Sequence, residues 1–374
     1  MDRASLLFIE LLRASIRDIP FENNGSDSES TIQQAPHLWR LAKQHQVEGM
    51  IADQLLTLPD LPMNISVQLM SYLQGLERLS NDMSAVLAKL YNELEALNFH
   101  SILVKGHANA ALYPNPLLRT IGDIDLYFPN KSDFEKVIEL MSRRGYKIHS
   151  ETKNNKLLHK AVQMDTFLLE CHGQLLYLPL TTKNKVFEEY YNQLLNHTEK
   201  KTILIDDVPV QVLPAELQLI HTFLHFFGDF LYGGAIFKRL LDWYFVVSKY
   251  GHTIDQDRLS HLLKEMKLEY QVGLFGELLH RWFELPEESI PWKRPEKTPN
   301  FHRDLKSLEH CYFENRVEQL KSRSSQGSVW QQRFWKWWSV VDHNFHYRHI
   351  IGHYAYKAPM DMLLFRAQET VIRR

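Results

Sequence analysis

The chain has 374 residues, of which 44% are hydrophobic and 12% aromatic, enough to bury a sizeable core and, by length, to form two or three domains. Lys and Arg number 43 against 45 Asp and Glu, a formal charge of -2, so no global field draws the chain to nucleic acid or an anionic membrane, and no clear DNA-binding patch stands out. The two cysteines, Cys171 and Cys311, lie far apart in sequence and lack C-x-x-C spacing, so neither a disulfide framework nor a thiolate zinc site is indicated, and a reducing cytoplasm fits.

The first residues, MDRASLLFIELLRASIRDIPFE, carry charges through their apolar positions and read as an amphipathic helix, not a secretory signal. No stretch approaches the roughly 18 consecutive apolar residues of a membrane span. From Ser5 to about Asn98 apolar residues recur three or four apart, with a polar loop at Asn23–Thr31 and a long helical run from Val67 to Leu97. This region, 1–98, reads as a helical layer without chemistry of its own. Ser101–Val104 is a short buried-strand signal, and Lys105–Leu112 reads as a helix ended by Tyr113-Pro114-Asn115-Pro116.

The most informative stretch follows, Arg119-Thr120-Ile121-Gly122-Asp123-Ile124-Asp125-Leu126-Tyr127-Phe128. Side chains alternate across a strand, so Asp123 and Asp125 share one face while Ile124 and Leu126 share the other. Two like charges side by side repel, and something positive is expected between them. Magnesium fits: it takes hard oxygen ligands and prefers one or two carboxylates together with substrate phosphates. A D-x-D triplet alone is also compatible with a solvated strand end.

A helix is expected from about Ser132 to Arg144, then strands at Lys156–Met164 and Thr166–His172, and a Thr202–Leu213 strand pair turning near Asp206-Asp207. Together with the earlier elements this is an α+β pattern with a small mixed sheet, spanning 99–213. From Pro214 to the end, 214–374, the pattern is helical again. Helices are expected after Pro214, over Ile236–Tyr250 joined through Gly233-Gly234, over His252–Lys267 and over Tyr270–Phe283; a surface loop at Lys321–Ser328 precedes the aromatic segment Trp330–Tyr356.

Several unlike elements in order, Leu103-Val104-Lys105-Gly106-His107-Ala108, then Tyr113-Pro114, then Arg119 and Gly122-Asp123-Ile124-Asp125-Leu126, resemble the uncharacterised nucleotidyltransferase family of the DNA polymerase β-like nucleotidyltransferase superfamily. Phe167–His172 is similar to that family's later strand, with an acidic residue two before a histidine. Leu213-Pro214, His221–His225 and Lys238–Asp242 are similar to its downstream helical pair. The resemblance covers roughly 35–250. One departure is that the superfamily usually has Gly-Ser or Gly-Gly before its first helix, whereas here Gly106 is flanked by Lys105 and His107.

The resemblance implies an enzyme that moves an NMP from an NTP, with ATP one candidate, to a hydroxyl acceptor with release of pyrophosphate. Two Mg2+ or Mn2+ ions roughly 3.5 to 4 Å apart would stabilise the entering and leaving oxygens. Asp123 and Asp125 are the expected shared ligands, and Glu170 the third carboxylate, because Glu170 and His172 share a face by period two; Asp165 is the alternative. Lys105 and Arg119, with the backbone around Gly106 and Gly122 and with His172, are the expected nucleotide-binding groups. Lys105 is equally readable as a solvated strand end, and Arg119 as an ion-pair partner of Asp123 or Asp125. His225 and Asp242 read either as catalytic or as a structural pair. His343, His346, His349 and His353 have helical spacing but no H-E-x-x-H pattern, and their surrounding Trp and Tyr residues read as core and surface aromatics or a stacking platform. The acceptor, whether small molecule, protein side chain or RNA end, is not encoded in the motif. A catalytically silent nucleotide-binding regulator, of the toxin–antitoxin kind, is the alternative function, and a helical scaffold whose D-x-D is only a strand end is a third.

Overall fold

A computed structural model describes residues 1–22, 28–153, 156–164, 167–176, 178–314 and 328–372. The expected loop residues 23–27 and 321–327, and Asp165 and Thr166, lie outside the described residues. The N-terminal layer consists of α1 (Arg3–Ile16), α2 (Ser28–His45), α3 (Glu48–Leu55) and the long α4 (Met63–Ala96). Asp2 caps α1 by accepting from the Ser5 N–H at 2.8 Å, which satisfies one of the donors a helix start leaves open. Ser28–Thr31, read as loop from its polarity, already belongs to α2, and Thr31 is buried.

Among the described residues seven strands form one mixed sheet in the order β3-β4-β5-β2-β1-β7-β6, so the α+β expectation holds. They are β1 (Ile102–Val104), β2 (Asp123–Tyr127), β3 (Lys147–Lys153), β4 (Lys156–Gln163), β5 (Leu168–His172), β6 (Lys201–Ile205) and β7 (Val208–Val212). Asp206 and Asp207 turn the last hairpin with φ of 44° and 63°, the left-handed pair that a two-residue hairpin loop needs. Between strands lie α5 (Gly106–Ala110), α6 (Lys131–Arg143) and α7 (Lys183–His197). The outer strands β3 and β6 begin with Lys147 and Lys201, charges that discourage further strand pairing at the two edges.

The alternation of β2 decides which face carries chemistry. Ile124 and Leu126 are fully buried and pack with Leu87, Tyr91 and Leu94 of α4 and Phe134, Val137 and Met141 of α6. The opposite face, bearing Asp123 and Asp125, meets the C-terminal helices. These begin with α8 (Ala215–Gly233) and α9 (Phe237–Tyr250), which pack on each other, and α9 also packs on α5. Gly234, at φ 89°, supplies the left-handed residue that turns α8 into α9. Then follow α10 (Gln256–Met266), α11 (Glu269–Phe283), α12 (Pro299–Phe313) and helices at Val329–His346, Arg348–Ile351 and Tyr354–Ile372. Among the described residues no helix is long and apolar enough to cross a membrane.

Candidate active site

The two central strands bring the carboxylates together. β2 and β5 run parallel with Asp125 opposite Glu170 and Tyr127 opposite His172, so the acids and the imidazole lie on one face of neighbouring strands. Carboxylate oxygens from Asp123, Asp125 and Glu170 lie within 4.8 Å of one another. On the next strand, β4 is antiparallel to β5 and places His159 opposite His172. His159, Glu170 and His172 form a second close group of potential ligands that shares Glu170 with the first.

The acids face a cleft of about 330 Å³. Its cationic wall is Lys105, Arg119, Lys238 and Arg239; Gln46, Thr120 and His225 complete it, and Gly106 and Gly122 contribute backbone. A Cβ on Gly106 would stand 3.3 Å from the Asp123 carbonyl oxygen, so glycine lets the start of α5 approach the Asp strand. A Cβ on Gly122 would meet nothing within 4 Å: its surroundings are open space.

Lys105 is the residue between β1 and α5. Its Nζ donates to Asp125 Oδ1 at 2.6 Å and lies 3.9 Å from Glu170 Oε2. His172 Nε2 lies 2.8 Å from the same Asp125 oxygen and 3.4 Å from the same Glu170 oxygen. Burial by itself would push the Asp125 carboxyl up, but the Lys105 ammonium and then His172 outweigh it and hold the group well below the ordinary carboxylate range. Glu170 is likewise lowered: burial opposes, and the His172 hydrogen bond and Lys105 prevail. Asp123 goes the other way. Burial, then the charges of Asp125 and Glu170, push its carboxyl up, and among the described residues no side chain donates to it.

Arg119 makes neither of its expected ion pairs. Its Nε and Nη2 donate to the two oxygens of Asp242, each at 2.7 Å, and the Tyr113 hydroxyl donates to Asp242 Oδ1 at 2.8 Å. The reason is topological: α9 packs over α5 and brings Asp242 to the chain that follows Tyr113-Pro114. His225, the residue that might have paired with Asp242, instead has Nδ1 3.6 Å from Asp229 Oδ2, an oxygen that also takes Arg239 Nε at 2.7 Å. Burial, then Arg239 and Lys105, push the His225 imidazole well below its ordinary value, so it enters the site neutral. His221 is buried against the Leu175 carbonyl at 3.2 Å and is held down to about 3, mainly by burial.

Lys238 and Arg239, in the helical segment similar to the family, also line the cleft, a role beyond the residues expected from the motif. The signal was their place four and three residues before Asp242 on one helix, which puts all three on the same side. Burial, then Arg119 and Arg239, lower the Lys238 ammonium to about 8, the mark of a cation among cations. The C-terminal histidines His343, His346, His349 and His353 form no group with metal-ligand spacing among the described residues. His343 is buried against the rings of Phe230 and Tyr347.

The α+β core thus gathers three acids and four cations in one cleft. The chain belongs to the family of uncharacterised nucleotidyltransferases, whose profile matches residues 32–284, and a general role in nucleotidyl transfer follows from that membership. Among solved structures it is similar to an antigenic nucleotidyltransferase-like protein from Paracoccidioides brasiliensis, at 14% identity and a TM-score of 0.32 over 54% of this chain and 92% of that one. No curated protein matches the chain.

Proposed function

We propose that the protein transfers an NMP from an NTP to a hydroxyl acceptor, with pyrophosphate as the leaving group and Mg2+ or Mn2+ at the acids. The observation that carries this reading is the register of β2 on β5, which sets Asp125 directly opposite Glu170, beside Asp123, in a cleft that Lys105, Arg119, Lys238 and Arg239 also line. The donor set fits a hard divalent ion: all three ligands are carboxylates, and Asp123, crowded by two negative neighbours without a side-chain donor of its own, is the acid an ion would relieve. Held by Asp123, Asp125 and Glu170, such ions would supply charge neutralisation at the transferring phosphoryl group and at the entering and leaving oxygens, the two-metal chemistry expected for this reaction.

The protein's own groups supply the rest. Asp123 and Asp125 hold the cation; Glu170, on the adjacent strand, accepts the proton of the acceptor hydroxyl. His172 orients Asp125 and Glu170 together. Lys238 and Arg239 counter the triphosphate, with Lys105 held on Asp125 at the edge of the same cleft and Arg119 fixed by Asp242 so that its guanidinium stays in the cleft wall. Gly106 and Gly122 allow phosphate oxygens to approach the backbone. In this reading the region 99–213 contributes the acids together with Lys105 and Arg119, and 214–374 closes the cleft with Lys238 and Arg239, while 1–98 is the supporting layer and adds Gln46 to the wall. Two free, buried cysteines support a cytoplasmic setting. The acceptor is a small molecule, a protein side chain or an RNA 3′ end.

The test is incubation of the protein with each α-32P-labelled NTP and Mg2+, with and without cell extract, following label into metabolite, protein and RNA fractions and measuring pyrophosphate. Wild type transfers label, and Glu170→Gln lowers the rate about 10²- to 10⁴-fold while keeping NTP binding within a few-fold. NTP binding without pyrophosphate release in any fraction would instead support the catalytically silent regulator. That alternative draws its support from Asp125 Oδ1, which two donors of the chain itself already occupy.

A further inference from the structure

We infer that the Lys105 ammonium is a resident cation that takes the place of the second divalent ion, so that this site works with one metal ion and one lysine. The inference rests on the nucleotidyl-transfer reading and revises its metal count, giving the role of the second ion to Lys105.

Three observations point the same way. The first is position. Lys105 Nζ stands 2.6 Å from Asp125 Oδ1 and 3.9 Å from Glu170 Oε2, between the two acids that a bridging ion would join. A divalent ion bound to the same Asp125 oxygen at about 2.1 Å would lie within about 5 Å of the ammonium, and the two would repel in a partly desolvated site. The second is backbone. Lys105 has φ 54° and ψ -128°, in the left-handed half of the map that favours glycine. A side chain held at such a position is expected where the site uses it, and this side chain is the one turned onto the acids. The third is charge. Asp123, Asp125 and Glu170 sum to three negative charges, which one ammonium and one divalent ion balance. Asp125 and Glu170 are already served by Lys105 and His172; Asp123, to which no side chain among the described residues donates, marks where the single ion sits.

The competing arrangement is a second ion held by His159, Glu170 and His172, whose imidazoles would favour a borderline-soft metal. His159 Nε2 is 3.7 Å and His172 Nε2 3.4 Å from Glu170 oxygens, spacings compatible with ligands around one ion. The Lys105 ammonium on Glu170 opposes it.

Counting Mn2+ decides between them. Protein saturated with Mn2+ and α,β-methylene-ATP, an analogue that cannot transfer its NMP, is freed of unbound ions by rapid gel filtration. Bound Mn2+ per chain is then measured, and the electron paramagnetic resonance spectrum recorded. The expected result is one Mn2+ per wild-type chain with an uncoupled six-line spectrum. Lys105→Ala and Lys105→Gln should take up two, with the exchange-coupled spectrum of a close pair; the second variant keeps the test decisive if the first does not fold. Two Mn2+ in wild type, or one in both variants when folded, overturns the inference; two in wild type falling to one in His159→Ala assigns the second ion to the imidazole site. No Mn2+ in wild type overturns both this inference and the metal-assisted reading, whereas two Mn2+ overturns only this one.

Discussion

The buried pair between Arg119 and Asp242 makes a quantitative prediction. Asp242→Ala removes both acceptors of the Arg119 fork and the acceptor of the Tyr113 hydroxyl, in a place where the Arg and Asp side chains are only 3% and 2% exposed. Breaking a buried ion pair from one side costs about 3 to 5 kcal/mol, because the remaining charge keeps its desolvation penalty. An unpartnered buried hydroxyl adds about 1 kcal/mol or more. We therefore expect a loss near 5 kcal/mol. Unfolding entropy of about 2.1 cal/mol/K per residue gives about 0.8 kcal/mol/K for 374 residues. The predicted fall in Tm is thus about 6 °C. The triple change Arg119→Met, Asp242→Leu and Tyr113→Phe removes every polar partner at once and fills the space with apolar groups; it should fall by no more than about 2 °C. Differential scanning calorimetry at pH 7.5 measures both. A fall of less than about 1 °C for Asp242→Ala, or a triple variant worse than the single one, refutes the reasoning. Nucleotide affinity separates the roles further: the triple variant regains stability but not the cation in the cleft, so its affinity stays low.

Three further outcomes follow from the same electrostatics. With Mg2+ and NTP at about 100 times Kd, linkage adds about 2.7 kcal/mol, or about 3 °C in Tm by the same entropy, and Asp123→Asn and Asp125→Asn should each abolish that shift; Asp123→Asn should also melt above wild type without ligand, since it removes the carboxylate that burial and two acids oppose, and a lower Tm would argue against that picture. His45, His107 and His221 are held by burial at about 4, about 4 and about 3, below their ordinary 6.5, so the unfolded chain takes up protons first as pH falls. Stability from these groups is complete above 6.5 and declines toward 4, by up to about 4 kcal/mol per pH unit for the three together, and urea midpoints that are equal at pH 7.5 and pH 5 would contradict their burial as neutral rings. Lys238 titrates near 8, so NTP affinity measured by calorimetry should weaken from pH 7 to pH 9, and Lys238→Ala should lower affinity about tenfold, about 1.4 kcal/mol, and flatten that pH dependence.

Much of the acid half of the site was legible because strands obey a period of two. The alternation around Asp123-Ile124-Asp125-Leu126 predicts its two faces, and Glu170 could be chosen because it shares parity with His172; the register that sets it opposite Asp125 is tertiary information. The partners of Arg119 were not legible for the same reason. Sequence proximity favours Asp123 and Asp125, and only the packing of α9 on α5 brings Asp242 within reach. β3 escaped notice because Lys147–Lys153 is a polar edge strand with little hydrophobic alternation. α7 did carry a signal, since its buried Phe187, Tyr190, Tyr191 and Leu194 fall at i, i+3, i+4 and i+7, the stripe of a helix with one apolar face. The helix expected over Lys105–Leu112 closes down to five residues, Gly106–Ala110, because Tyr113-Pro114 follows and Lys105 adopts a backbone no helix can use.

The Arg119–Asp242 pair also explains how a helix from the C-terminal region comes to serve a site built on strands. As a source of stability a buried ion pair is poor, since its desolvation consumes most of its attraction, and apolar residues of the same size would serve as well. As a device for orientation it is strong. A two-pronged guanidinium bond accepts one geometry, so with Arg119 fixed beside β2 it sets the rotation of α9 about its own axis. Lys238 and Arg239 lie four and three residues before Asp242, on the side of α9 that this bond turns inward, and both line the cleft. Tyr113, bonded to the same carboxylate oxygen, ties the end of the α5 segment to that setting. The acids are thus placed by strand register and the cations of α9 by one buried fork, and a change that loosens the fork should disperse Lys238 and Arg239 while leaving Asp123, Asp125 and Glu170 where they are.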